Sequence, residues 1–153
     1  MRVAERVDPI GGPVGAAEGA RDLAEADALI IVSNAEAQAA VNRYVRLRDA
    51  ALPCISCQRH HAGKWNAGHY RSTAAAPELR FDLDNLHKQC EPCNTHLSGN
   101  LIRYRVGLLD RIGADRLAAI EGPHEPRKWT RDELIAMRQR FAAMAKELDG
   151  RAA

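Results

Sequence analysis

Residues 54–94 read CISCQRHHAGKWNAGHYRSTAAAPELRFDLDNLHKQCEPCN and hold all four cysteines of the chain. The cysteines form two C-x-x-C pairs, Cys54/Cys57 and Cys90/Cys93, with thirty-two residues between the pairs. A C-x-x-C sets two thiolates about one turn apart, so both can reach a single ion. Two such pairs complete a closed, tetrahedral and therefore structural zinc site. The segment is poor in Leu, Ile and Phe, so metal binding there contributes folding free energy that a small apolar core cannot. Two independent redox dithiols are the competing reading, and the chain has no thioredoxin-like pattern to support it.

Working outward, the 153-residue chain suits one domain of ordinary size or a small domain with helical additions. Its most apolar segment, ALIIVS at 28–33, is far too short to span a bilayer. The N-terminus lacks a positive start followed by an apolar stretch. No membrane partner and a cytoplasmic location are therefore expected, and a reducing compartment favours metal over disulfide for paired cysteines. Net charge is only +2. Its distribution is uneven: residues 54–112 carry 8 Lys and Arg against 5 Asp and Glu, while residues 1–53 carry 6 against 8. The positive excess lies where a phosphate backbone would be attracted.

Residues 1–32, rich in Gly, Ala and Pro at their start, read as a flexible arm or linker. One domain over 33–153 is expected, with a helix at 33–50, a metal-stapled core at 52–100 and helices across 101–150. Ser33-Asn-Ala-Glu36 is a capping box, and Ala37, Val41, Tyr44 and Val45 share the face that should turn inward until Pro53 stops the helix. WNAGHYR (65–71) and LRFD (79–82) are the two strand candidates, with TAAAP between them as a loop. LIRYRVGLLDRIG (101–113) and Ala114–Ile120 read as helices. Thr130-Arg-Asp-Glu133 is a second capping box, opening a helix with Leu134, Met137, Phe141, Met144 and Leu148 on one stripe and Gly150 at its close.

Between the cysteine pairs, Gly68-His69-Tyr70 lies on an expected strand, Asn85-Leu86 follows, and Asn94 directly succeeds Cys93. This order resembles the HNH, or His-Me finger, nucleases. With LPCISC, WNAGHYRSTAAAPELRF, NLHKQC, CNTHLSGNL and YRVGLLDRIG in sequence, residues 35–148 resemble the phage lambda NinG (Rap) family of recombination endonucleases. The resemblance implies an α+β fold, a small zinc-stapled ββα-metal core flanked by α-helices. It implies a Mg²⁺- or Mn²⁺-dependent endonuclease that cuts branched double-stranded DNA such as Holliday junctions and D-loops. It implies a phage or prophage source and a bacterial host cell. A homodimer would place two sites on one junction by two-fold symmetry.

Phosphodiester hydrolysis needs an activated water, charge neutralisation at phosphorus and help for the leaving oxygen. His69 is the candidate general base, since imidazole titrates near neutral pH. The resemblance assigns its orientation to Asn85, through backbone of the His69 strand. Asn94 offers an oxygen to the catalytic cation. Many HNH nucleases carry an Asp just before this His; here Gly68 stands there, and Asp82, Asp84 and His96 are alternative second ligands. Arg71, Lys88, Arg103 and Arg105 are candidate phosphate contacts, which set register without reading sequence. His60 and His61 fall in the loop after the first cysteine pair, His87 is read as packing or a phosphate contact, and His124 as exposed. Two other readings stay open: a DNA- or protein-binding zinc knuckle without catalysis, and an HNH nicking or restriction-like nuclease without branch selectivity.

Overall fold

A computed structural model describes residues 34–152. The expected arm at 1–32, and Ser33 of the first capping box, lie outside the described residues. Helices α1 (34–48), α2 (Leu101–Ile112), α3 (Ala114–Glu121) and α4 (Arg131–Ala152) accompany a two-stranded antiparallel sheet, β1 (Trp65–His69) with β2 (Leu86–Cys90). The architecture is α+β. The register pairs Trp65 with Cys90, Gly68 with His87 and His69 with Leu86.

Successive strand residues point to opposite faces, and each face of this sheet meets different helices. Ala67 and Leu86 join Ala37, Val41 and Val45 of α1 and Leu134 and Phe141 of α4 in one apolar cluster, with Phe81 among them. His87 and Gly68 lie toward α2, where Tyr104 sets its ring edge against His87 and donates its hydroxyl to the Gly68 carbonyl at 2.9 Å. Tyr104 also packs with Ile55, Leu79, Leu108, Leu117 and Ile120 in a second cluster beneath α2 and α3. α2 approaches the loop after Cys54 so closely that a Cβ at Gly107 would stand 2.0 Å from the Ile55 carbonyl oxygen, a contact only glycine permits.

The second strand is not LRFD. Residues 79–82 form the end of a 3₁₀ turn, Pro77–Leu79, and the turn after it. Leu79 and Phe81 are both buried, giving the period-two pattern of a strand, but they enter different clusters. The true strand, LHKQC, is buried at every position and so shows no alternation. Its polar groups are tolerated because the outer edge of β2 is fully covered. The Lys88 amide donates to Asp49 Oδ2 (2.9 Å), the Lys88 carbonyl accepts from Ile55 N (3.1 Å), and the Leu86 carbonyl accepts from Arg48 Nη2 (2.7 Å). An edge left unpaired would cost the desolvation of each such group. Burial alone would raise the Asp49 carboxyl; the Arg48 guanidinium, then the Lys88 amide, outweigh it and hold the group below the usual carboxylate range.

α4 begins as its capping box requires. Glu133 accepts from Thr130 N at 2.9 Å, and Thr130 Oγ1 accepts from Glu133 N at 3.3 Å. Leu134 and Phe141 are buried, Met137 and Met144 pack against the same cluster, and the helix continues through Gly150 rather than closing there. Among the described residues no helix is long and apolar enough to cross a membrane.

Candidate active site and metal centre

Cys54 and Cys57 sit in the loop that closes onto the outer edge of β2. Cys90 ends β2, and Cys93 lies in the single π-helical turn Pro92–His96 that follows it. Their four sulfurs all lie within 4.8 Å of one another, and Cys57 Sγ is 3.9 Å from Cys90 Sγ. A tetrahedral zinc with Zn–S bonds of about 2.3 Å needs sulfurs about 3.8 Å apart, so the four residues fit that ion. Donors surround the sulfurs as they would thiolates. The Cys90 amide reaches Cys54 Sγ at 3.4 Å, Asn100 Nδ2 reaches Cys93 Sγ at 3.3 Å, and His61 Nε2 stands 3.2 Å from Cys57 Sγ. Burial pushes the Cys54 thiol up, but the amides of Cys57, Cys90 and Ser56 draw it down further, favouring the thiolate. Cys54, Cys90 and Cys93 are buried and Cys57 is half-buried.

The strand that ends the zinc frame also orders a cleft of about 520 Å³ lined by His69, Tyr70, Arg71, Asn94, Ser98 and Leu101, among others. His69 is the last residue of β1. Its Nε2 lies 2.9 Å from the Arg80 carbonyl oxygen, which can only accept, so Nε2 carries the proton and Nδ1 keeps its lone pair. Burial lowers the pKa of His69; the Arg80 carbonyl opposes the shift without cancelling it. The imidazole is therefore neutral at pH 7, with Nδ1 able to take a proton.

Asn85 fixes this arrangement from below. It is wholly buried. Its Oδ1 accepts from Arg71 N at 2.7 Å, its Nδ2 donates to the carbonyls of Arg71 (3.0 Å) and Leu79 (3.1 Å), and its own carbonyl accepts from Tyr70 N at 2.9 Å. Asn85 thus ties the chain just after His69 to the turn that supplies the Arg80 carbonyl. The turn Ser98-Gly99-Asn100, left-handed at all three residues, closes the opposite wall and leads into α2.

Asn94 shares the cleft with His69, whereas Asp82, Asp84 and His96 do not line it. Asp84 is ion-paired with Arg116, Asp82 Oδ1 accepts from the Asp84 amide at 2.8 Å, and His96 is exposed on the π-helical turn. None of the three is among the nearest neighbours of Gly68. What stands beside Gly68 is Gln89, which nothing in its sequence context singles out. A Cβ at Gly68 would lie 2.1 Å from Gln89 Oε1 and 3.1 Å from Asn94 Oδ1.

The basic candidates separate. Lys88 cannot contact phosphate: it is 4% exposed, its Nζ donates to the Ala50 carbonyl at 2.9 Å and lies 4.2 Å from the centre of the Trp65 ring. Arg71 lines the cleft, with Nη1 on the Ile120 and Glu121 carbonyls. Arg105 is exposed and held by Glu121, which also accepts from Tyr70 at 2.6 Å. Burial and Glu121 push the Tyr70 hydroxyl up to about 12. Arg103 is exposed on α2 beside Cys57 and Asn100 and forms no ion pair among the described residues. His87 takes its packing role: buried, with its pKa pulled down to about 3 by that burial and by Arg48, it is uncharged. His124 is only partly exposed, with Nε2 3.1 Å from the Ile120 carbonyl.

Residues 32–151 match the family model described as "Bacteriophage Lambda NinG protein". Curated relatives named "Protein ninG", from Escherichia phage 933W, Salmonella phage P22 and Escherichia phage lambda, are each 50% identical over 113 residues. These alignments cover 74% of this chain but 56%, 56% and 55% of the respective relatives, so the chain spans about half the length of the curated relatives it matches. No solved structure matches.

Proposed function

The chain belongs to the NinG family, and from that premise we propose that it is a Mg²⁺- or Mn²⁺-dependent endonuclease of the HNH, His-Me finger, type that cuts branched DNA. The observation that carries the proposal is the state of His69: a neutral imidazole at the end of a strand, proton on Nε2, Nδ1 free, on the cleft shared with Asn94. Zinc held by Cys54, Cys57, Cys90 and Cys93 is structural in this reading, since four thiolates leave it closed to substrate.

In the proposed reaction His69 Nδ1 removes a proton from the water that attacks phosphorus, and the Arg80 carbonyl steadies the imidazolium that results. Asn85 positions His69 through Arg71 and Leu79. Asn94 would hold the catalytic cation, which supplies neutralisation of the scissile phosphate and assistance to the leaving oxygen. Arg71, on the cleft, and the exposed Arg103 would contact flanking phosphates. The first turn of α2 starts at the cleft wall with Leu101, and helix N-termini favour phosphate groups. Preference for branched over linear DNA follows from the family resemblance, as does a role in phage recombination inside the bacterial host. A homodimer would set two clefts on one junction, and Ile102 and Val106, 86% and 67% exposed on α2, offer an apolar face for it.

Gly68 in place of a carboxylate favours a second reading, a zinc-stapled module that binds DNA without cutting it. Purified protein incubated with a labelled four-way junction and a matched linear duplex, with and without Mg²⁺, separates the two. The nuclease reading expects metal-dependent cutting of the junction in preference to the duplex. Binding without cutting in both Mg²⁺ and Mn²⁺ overturns it.

A further inference from the structure

The residue that the cleft leaves unexplained is Gln89. It is wholly buried. Its Nε2 donates to Ser56 Oγ at 2.7 Å and to the Gly99 carbonyl at 2.6 Å. A carbonyl cannot donate, so the amide nitrogen must face Gly99 and the amide orientation is fixed. Gln89 Oε1 is then turned the other way, buried, with no hydrogen-bond partner. A buried acceptor left without a partner is destabilising, and a water or an ion that completes it is one physical explanation.

The direction in which this oxygen points identifies its use. Gln89 and Gly68 lie on the same face of the sheet by register, one pair apart. The Gln89 amide leans across the bare Cα of Gly68, and a Cβ there would collide with Oε1 at 2.1 Å. The same point is 3.1 Å from Asn94 Oδ1. Two amide oxygens, one from β2 and one from the turn after Cys93, thus converge over the single glycine beside His69.

We infer that Gln89 Oε1 and Asn94 Oδ1 together form the protein's share of the divalent-cation site, and that Gly68 is glycine because the Gln89 amide occupies the space a side chain would take. The inference rests on the nuclease reading for the purpose of the cation, though its geometry does not. Hard cations accept amide oxygens as they accept carboxylates. Two uncharged ligands bring no Coulombic attraction of their own. The cation therefore binds weakly to the free protein and firmly only when phosphate supplies the charge. A site built this way couples metal occupancy to the presence of DNA.

The test uses the zinc-loaded full chain without DNA, titrated with Mn²⁺ and followed by the paramagnetic resonance of the free ion. Gln89→Glu, which changes one atom and adds a charge, should tighten Mn²⁺ binding at least tenfold. Asn94→Ala in the Gln89→Glu background should cancel that gain. The double variant Gly68→Asp with Gln89→Ala, in which the amide is removed to make room, should tighten binding to a similar degree. Zinc content and thermal midpoint report whether each variant is folded; should one fail, the other carboxylate design still decides. Unchanged Mn²⁺ binding in the folded carboxylate variants, or a gain indifferent to Asn94, overturns the inference. If Mn²⁺ responds as stated but no junction is cut, the nuclease reading fails and the cation site stands. If junctions are cut while Mn²⁺ binding ignores residue 89, the reverse holds.

Discussion

The cysteine cluster and the His69 cleft are neighbours built on the same two strands, yet they are organised in opposite ways. In the cluster every reactive atom points at another: four sulfurs within 4.8 Å, ringed by amide donors, three of the four residues buried. In the cleft the reactive atoms point away from their supports. His69 turns Nε2 to the Arg80 carbonyl and leaves Nδ1 free; Gln89 turns Nε2 to Gly99 and leaves Oε1 free. The cluster turns its four ligand atoms on one another, as residues that could share one metal ion would. The cleft is left unsatisfied at specific atoms, which is what a site needs if something else is to complete it. The same strand serves both, since β2 carries Gln89 and Cys90 side by side.

The two sites differ most in their dependence on metal. Structural zinc contributes about 10–16 kcal/mol of apparent binding free energy in small zinc domains, comparable to the whole stability of a typical domain. Removing it by chelation should abolish hydrogen-exchange protection of β1 and β2 and collapse the cleft with the cluster. Protection that survives complete zinc loss would show that the apolar clusters alone hold the strands.

Acidity should act on the cleft before the cluster's packing. His69 must be neutral to accept a proton, and burial sets its pKa below 6.5. The single-turnover rate should be flat with pH around neutrality and fall about tenfold per unit once pH drops below that lowered pKa. A rate still climbing steeply above pH 7 would mean that another group is the base.

The smallest effects lie on the basic residues, and they sharpen the contrast between buried and presented groups. Arg103→Ala should weaken DNA binding and reduce the slope of log affinity against log salt by about 0.9, as for one phosphate contact. Lys88→Met should leave both unchanged, because its ammonium is spent on Ala50 and Trp65. Anisotropy titrations across a salt series measure both; a lowered slope in Lys88→Met would contradict its burial.

The sequence displayed some of this plainly and hid the rest for physical reasons. The cysteine quartet was legible because ligand chemistry demands residue type and spacing together, and α4 because its capping box and apolar stripe are local. β2 was not legible. Its His87, Lys88 and Gln89 are polar residues buried by partners from α2, the turn after α1, the first cysteine loop and the turn before α2, so no alternation marks the strand. LRFD mimicked a strand because Leu79 and Phe81 are buried two residues apart, each in a different core. His69, Asn85 and Asn94 stood out by their order within and just after the cysteine pairs, and the structure brings His69 and Asn94 to one cleft. Gln89 was not, because its meaning depends on a missing side chain at Gly68 that lies across the sheet. Only the absence of an acid before His69 hinted that some other oxygen must stand there.

His69 is proposed as a neutral base held in a frame that does not depend on it. The most direct measurement is the single-turnover cleavage rate of a four-way junction by wild type and His69→Ala in Mg²⁺, with zinc content and thermal midpoint recorded for both. One zinc per chain in each, similar midpoints, and a rate lower by about 10²–10⁴ in the variant are expected, the range for loss of general-base catalysis. Equal rates from two equally folded, zinc-loaded proteins would contradict it.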